Sequence, residues 1–322
     1  MASKKINLND FFENTKLDLE KKIATTIQDK KIISILDAGK RLRPLLAHLS
    51  FKVCTGGKET PYQYQKALEG TVVIELAHTA SLIHDDIIDK DKERRGKPAL
   101  YVEEGIPSAM LLGHKMLAIG LDIALRHGEK IAKLYTDTWN EILNGELKEV
   151  TFNKKDIQNN GAKEITKTKI FNEYNKIINM KTASLYSSAC KAGAIEANAN
   201  GQILTTLGEY GREIGLAYQL ADDLVDLENG EIIGSVIIPL LNRLDKDIVD
   251  NNSLKIKSLR KKIAKNSSKI KQFYIDEIKK HVNKAIQLSS SEIIPQSPYK
   301  DMLIDAPTYI INKMLKEIKI AV

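Results

Sequence analysis

Residues 84–89 read HDDIID and residues 221–227 read ADDLVDL. Each run places three aspartates in five positions, with TASLI before the first and GLAYQL before the second. Charges of one sign packed this densely repel, so the backbone must spread them over a surface and counter-charge must be supplied. A helix returns positions seven and eleven apart to one stripe, whereas a strand alternates its side chains between two faces. On a helix over 67–89, His78, Asp85 and Asp89 share a stripe with Ser81 and Leu82 between them, and Asp86 is turned about 100° away. On a helix over 203–227, Gly208, Gly211, Gly215, Gln219, Asp222 and Asp226 share another, whose glycines leave room for a ligand or a second helix. Ile87, Ile88, Leu224 and Val225 fall on the opposite faces, so each aspartate row is expected to border a core.

Helical spacing extends along most of the chain. Leu8, Phe11 and Phe12, then Leu68, Val72 and Leu76, then Leu204, Leu207 and Ile214 recur at helical intervals of three, four and seven. SVIIPLL at 235–241 is the one tempting strand-like stretch. CTGGKETP (54–61) and EEGIPS (103–108) read as helix connections, and no Gly/Ser/Pro-rich linker divides the sequence. An all-α fold follows, with residues 1–322 as a single large helical domain. A chain of 322 residues, 43% of them hydrophobic, has material for a sizeable core.

The net charge of +7 favours anionic partners without choosing among nucleic acid, acidic membrane and phosphorylated small molecules. The Lys/Arg-rich stretch 252–281 keeps Ile256, Leu259, Ile263, Ile270 and Tyr274 at helical spacing and lacks the aromatic interleaving of single-strand binders. It reads as the solvated face of a helix, and no nucleic-acid partner is expected. SAMLLGHKMLAIGLDIAL (108–125) is interrupted by His114, Lys115 and Asp122 and reads as too polar and too short for an integral membrane segment. Cys54 and Cys190 match no metal or redox spacing, and the N-terminus has no apolar signal core, so a soluble cytoplasmic protein with reduced thiols is expected.

Carboxylate rows without His or Cys partners suit Mg²⁺, a hard ion commonly held by one or two carboxylates plus substrate phosphates. A diphosphate substrate is therefore expected, bridged by Mg²⁺ to both rows. AGKRLRP (38–44) offers Gly39 for close backbone approach, Lys40, Arg41 and Arg43 as donors, and Pro44 for the first position of a following helix. ERRGKP (93–98) adds Arg94, Arg95 and Lys97, and arginine forks match phosphate oxygens bidentately.

In this order, GKRLRP, HTASLIHDDIID, RRGKP, MKTASL (180–185) and GLAYQLADDLVD (215–226) resemble the trans-isoprenyl diphosphate synthases, or polyprenyl synthetases, over about residues 35–245. The resemblance implies an isoprenoid synthase-like helical bundle around a deep central cavity, usually homodimeric. It also implies a prenyltransferase that joins isopentenyl diphosphate to an allylic diphosphate head to tail. Carried over by position, Asp85, Asp89 and Asp222 would hold Mg²⁺, with three ions when substrate is bound. Lys40, Arg43, His78 and Arg95 would grip isopentenyl diphosphate, and Arg94 would serve the allylic substrate. Lys181, Thr182 and Gln219 form the implied catalytic group: Lys181 and Gln219 serve the allylic substrate, while Thr182 and Gln219 turn oxygen dipoles toward the developing carbocation. His84 is expected to be a packing residue.

Two departures stand out. No Lys or Arg occurs between Asp226 and Arg243, and His114 follows Gly113 where the family commonly has aspartate. They motivate an alternative, a non-catalytic regulatory subunit of a heteromeric prenyl diphosphate synthase, against which the intact aspartates count. A terpene cyclase has no use for GKRLRP. Ala77, Ala80 and Ser81 are small, and Ala80 lies roughly 7.5 Å along the helix from Asp85. An open floor there implies a product longer than farnesyl diphosphate, geranylgeranyl diphosphate or above.

Overall fold

The computed structural model describes residues 7–37, 39–158, 167–229 and 256–322, with the side chains of all of these but 152–171 and 256–266. These residues are helical almost throughout, as expected, and divide into two compact units. One comprises Met1–Trp139, Leu185–Gly211 and Leu288–Asp305, the other Asn140–Ser184, Arg212–Gln287 and Ala306–Val322. The chain crosses from unit to unit mostly inside helices, which is why no linker is visible in the sequence.

In the first unit, α1 (Leu8–Thr26), α2 (Lys30–Leu36), α3 (Leu42–Thr55) and α4 (Pro61–Asp89) lead to a short hairpin, β1 (Glu93–Arg94) and β2 (Lys97–Pro98). Helices α5 (Leu100–Glu104) and α6 (Ile106–Arg126) follow, and then α7 (Glu129–Gln158) begins. Helix α4 is the centre. Pro61 opens it, and Thr60 and Gln63 close a reciprocal capping box, with Gln63 N donating to Thr60 Oγ1 at 3.2 Å and Thr60 N to Gln63 Oε1 at 2.8 Å. It packs against α1, α3 and α6, so residues 71–77 are buried all round, and Leu68, Val72 and Leu76 sit in the core as their spacing predicts. Toward its end the helix emerges. Ile87 is half-buried and Ile88 is 44% exposed, so Ile88 does not back the aspartates as expected. Ala80 is fully packed, while Ser81 keeps partial exposure beside His78 and Asp85. The open side of α4 is therefore marked by Ser81, and a ring at Ala80 would enter core.

The second unit takes in the end of α7, α8 (Lys167–Ile178) and a π-helical turn (Asn179–Ala183) that leads into α9 (Ser184–Glu196). It adds the second half of α10 (Gly201–Glu228), most of α11 (Ile256–Ser290) and the end of α12 (Lys300–Leu315). Leu224 and Val225 are buried as expected, as are Ile270 and Tyr274 of α11. The side chains of Ile256, Leu259 and Ile263 lie outside the described residues, as does all of SVIIPLL.

Helix α6 corrects one expectation. It has 21 residues and is long and apolar enough, by length and composition, to cross a membrane. Ala109, Met116, Ile123 and Ala124 bury one face, and α6 packs against α4; the charged Lys115, Asp122 and Arg126 punctuate the rest.

His48 of α3 is buried among Phe11, Phe51 and Tyr64, with ring centroids 5.0–6.2 Å apart, and neither ring nitrogen has a partner among the described residues. Burial first, then Lys52, pushes its pKa down to about 4. The unfolded chain takes up this proton near the ordinary value of about 6.5. A depressed folded value means that the contribution to stability is whole above about 6.5 and is lost as pH falls toward about 4. Between about pH 7 and 4.5, urea unfolding should show the native sequence losing on the order of 2 kcal/mol more than His48→Leu. Equal losses would contradict a neutral buried imidazole.

Candidate active site

The last turns of α4 sort its three aspartates. Asp85 is half-buried and Asp89 exposed, while Asp86 is 4% exposed and accepts from Arg94 Nε at 2.8 Å, with Arg94 Nη2 also in contact. Arg94 reaches back because the chain turns through the β1–β2 hairpin, where Arg95 (φ 55°) and Gly96 (φ 72°) take the left-handed angles of a two-residue turn. Burial raises the Asp86 carboxyl above its ordinary value, and Arg94 draws it only part of the way back. The aspartate turned off the stripe is thus the buried one, and Arg94 answers it.

The AGKRLRP loop divides its cations. Lys40 is exposed. Arg41, expected among the phosphate donors, is instead fully buried: Nη1 donates to Glu75 Oε1 at 2.7 Å, and Nε and Nη2 to the Glu20 carboxylate at 2.8 and 3.0 Å. Arg43, in the first turn of α3, donates from Nη1 to His78 Nε2 at 2.9 Å, and its guanidinium carbon lies 4.3 Å from the centre of the Tyr186 ring. Its Nε is buried and has no partner among the described residues. His78 keeps some exposure, yet burial and then the guanidiniums of Arg43, Arg95 and Arg94 hold it well below its ordinary pKa. It is neutral, so its Nε2 can accept from Arg43. Lys40, Arg43, His78, Asp85, Asp89, Arg94 and Arg95 all belong to this first unit.

His84 packs as expected. Its ring lies 5.1 Å from His114 and 6.5 Å from Trp139 between centroids, and Gly113 leaves it space, since a Cβ there would stand 2.6 Å from Nε2.

Lys181, Thr182, Gln219 and Asp222 belong to the second unit. The π-helical turn carries Lys181 and Thr182, and such single-turn insertions recur at functional sites. Gly145 of α7 lets the turn pack closely, because a Cβ there would lie 2.9 Å from Lys181 N. Arg212 anchors its start, donating to Asn179 Oδ1 at 2.8 Å and to Glu141 Oε1 at 3.0 Å. Lys181 Nζ lies 2.9 Å from Glu149 Oε2 and 3.0 Å from Glu146 Oε2. Thr182 Oγ1 donates to Gln219 Oε1 at 2.7 Å, Gln219 Nε2 donates to Asp223 Oδ1 at 3.0 Å, and the Tyr174 hydroxyl donates to Asp223 Oδ2. Burial pushes Asp223 up to about 7 against these two donors. On the glycine stripe, a Cβ at Gly211 would stand 2.4 Å from Tyr186 O, so at this position a second helix, α9, fills the room.

Among the described residues, no three Asp, Glu, His or Cys side chains form a ready-made metal cluster. The donors on offer at Asp85, Asp89 and Asp222 are carboxylate oxygens. Carboxylate oxygens suit a hard divalent cation, and not the nitrogen and sulfur set of a structural zinc.

Residues 27–238 match the family model described as polyprenyl synthetase. The chain belongs to the polyprenyl synthetase family. Among its relatives, a short chain isoprenyl diphosphate synthase of Methanothermobacter thermautotrophicus is 35% identical over 61% of this chain and 57% of that protein. A geranylgeranyl diphosphate synthase of Methanosarcina mazei is 31% identical over 63% and 60%. A geranylfarnesyl diphosphate synthase of the same organism is 26% identical over 92% and 91%. The chain thus spans less than two thirds of the length of the first two. In fold it resembles a geranylgeranyl pyrophosphate synthetase from the archaeon Geoglobus acetivorans, with a TM-score of 0.73 and 23% identity over 93% of this chain and 98% of that one. A polyprenyl synthase from Caulobacter crescentus, complexed with calcium and isoprenyl diphosphate, gives 0.74 and 21% over 96% and 98%.

Several partners of the residues singled out in the sequence carry little signal there. Glu146 and Glu149 are three apart on α7 and hold Lys181, a spacing that would have flagged them had Lys181 been sought a partner. Tyr174 carries no local signal, because its partner Asp223 lies 49 residues on. The division of the AGKRLRP cations yields a test. Arg41→Ala strands the buried Glu75 carboxylate and should cost about 3–5 kcal/mol in urea unfolding. Lys40→Ala should stay within about 0.5 kcal/mol. Similar losses at both positions would contradict the division.

Proposed function

We propose that this polyprenyl synthetase condenses isopentenyl diphosphate with an allylic diphosphate, head to tail, to give geranylgeranyl diphosphate or a longer polyprenyl diphosphate. The observation that carries this reading lies between the start of α3 and α4. A guanidinium nitrogen buried without a partner among the described residues (Arg43 Nε) lies beside neutral His78, which shares its helix with Asp85 and Asp89. Such a place asks for an anion and a cation together, and a metal-bound diphosphate supplies both. Asp85, Asp89 and Asp222 would hold Mg²⁺, which when bound offsets the charge that builds on the leaving diphosphate. Lys40, Arg43, His78 and Arg95 bind isopentenyl diphosphate, with His78 fixing the Arg43 fork. Arg94 and Lys181 bind the allylic diphosphate. The allylic C–O bond breaks with its electron pair going to diphosphate, the isopentenyl double bond attacks the cation, and a proton leaves, the departing diphosphate serving as base. Thr182 and Gln219 face their oxygens to the positive charge as it develops. The observation behind a regulatory subunit, the Lys/Arg-free stretch after Asp226, falls mostly on residues outside the described ones.

Diphosphate release should vanish in excess chelator. Asp85→Ala, Asp89→Ala and Asp222→Ala should each lower turnover by about a hundredfold or more while the helical signal persists. Asp86→Ala, acting through Arg94, should lose less. Full activity without divalent cation sinks the proposal.

The open position at Ser81 bears on chain length. Ser81→Phe should shift the main product down by at least one isoprene unit. Ala80→Tyr should instead overpack the core and cost about 1–3 kcal/mol of stability. An unchanged product distribution in Ser81→Phe contradicts this placement.

The reading includes a cytoplasmic homodimer. Two thiols, Cys54 and Cys190, both raised to about 12 by burial, are in keeping with a reducing compartment. Ile106, Met110 and Leu125 of α6 are 52%, 42% and 61% exposed and share a helical stripe with half-buried Leu117 and Leu121. A second copy is the occupant proposed for this face. Light scattering should give twice the chain mass for the native sequence and the chain mass for Leu117→Arg/Leu121→Arg; a native monomer rules the dimer out.

A further inference from the structure

We infer that Asp223 and Tyr174 are positioning residues for Gln219, fixing which end of its amide meets Thr182. The two ends of a glutamine amide are nearly the same in shape, so hydrogen-bond partners decide their orientation. Gln219 and Asp223 are one turn apart on α10, and Gln219 Nε2 donates to Asp223 Oδ1 at 3.0 Å. The other carboxylate oxygen is occupied by Tyr174, which reaches in from α8 and is itself buried. The NH₂ end of Gln219 is thereby committed to Asp223, and Oε1 is turned to Thr182 Oγ1 at 2.7 Å.

Thr182 then spends its single hydroxyl proton on Gln219, and its remaining lone pairs are turned away from the amide. With the amide reversed, an N–H would point at Thr182 and consume a lone pair. The dipole would then oppose a positive charge developing nearby. Asp223 stands next to Asp222, so the helix turn that carries a proposed cation ligand also locks the amide. Nothing in the proposed reaction requires Asp223 or Tyr174 to touch substrate. Their burial (4% and 1% exposed) and their hydrogen bonds, Tyr174 to Asp223 and Gln219 to Asp223, tie them to Gln219.

The inference rests on the proposed condensation for its consequence, but not for its geometry, so two readouts test it. In substrate-free protein labelled with ¹⁵N-glutamine, the Gln219 side-chain amide signal is assigned by its absence from Gln219→Met. It should show one downfield-shifted proton, which moves upfield or splits in Asp223→Asn and moves less in Tyr174→Phe. In the condensation assay, Asp223→Asn should lower kcat about tenfold or more, with KM for isopentenyl diphosphate within about twofold. In the Gln219→Met background the same change should cost less than about twofold, because the group it positions is gone. An unmoved amide signal overturns the inference. So does an equal kcat loss in the Gln219→Met background, or recovery by excess Mg²⁺, which would make Asp223 part of the cation site. A native protein that shows the amide coupling but forms no product would defeat the proposed reaction and leave the positioning intact.

Discussion

Helix α4 can end in three aspartates because one of them is buried and answered by Arg94. Without that ion pair, three carboxylates in five residues would repel along the last turn and compete for any cation nearby. The hairpin after α4 returns Arg94 to the helix that precedes it, and its left-handed Arg95–Gly96 turn is the shortest way to do so. The same helix is held from the other side. Glu75 fixes Arg41, which sets the start of α3, and α3 delivers Arg43 to His78. Cations and carboxylates are thus arranged along one helix by contacts that a substrate does not have to supply.

The second unit repeats this principle with different parts. Asp223, like Asp86, is the second aspartate of its cluster and the buried one, at 4% exposure in both cases. Its answering groups are the neutral donors Tyr174 and Gln219, which explains why burial carries it up to about 7 whereas Asp86 gains a full charge as partner. The duplicated sequence therefore hides a difference in use. One buried aspartate holds a cationic side chain in place, and the other orients an amide.

The all-α class, the course of α4 and α10, and the membership in the polyprenyl synthetase family were legible because they rest on local periodicity and contiguous motifs. So was the separation of Asp86 from Asp85 and Asp89, which follows from helix geometry alone. The sorting of Arg41 from Lys40 and Arg43 was not legible, since it depends on Glu20 and Glu75, which lie 21 and 34 residues away. Ile88 is exposed and Ala80 packed, contrary to their helical phase, for a related reason. Helical phase says which residues share a face, but how far the helix protrudes from its neighbours decides which face is covered. The two compact units left no trace in the sequence because their boundaries fall mostly within continuous helices.

Carboxylates beside arginines are proposed to take a diphosphate only in company with a divalent cation. The direct measurement is calorimetric titration of the purified chain with an unreactive thio-analogue of an allylic diphosphate, once with Mg²⁺ and once with chelator. Saturable binding is predicted with Mg²⁺, weakening by about a hundredfold or more without it, as expected where bridging ions offset like charges. Equal affinity in the two titrations would mean that the arginines alone hold the diphosphate, and would contradict the cation-binding role proposed for Asp85, Asp89 and Asp222.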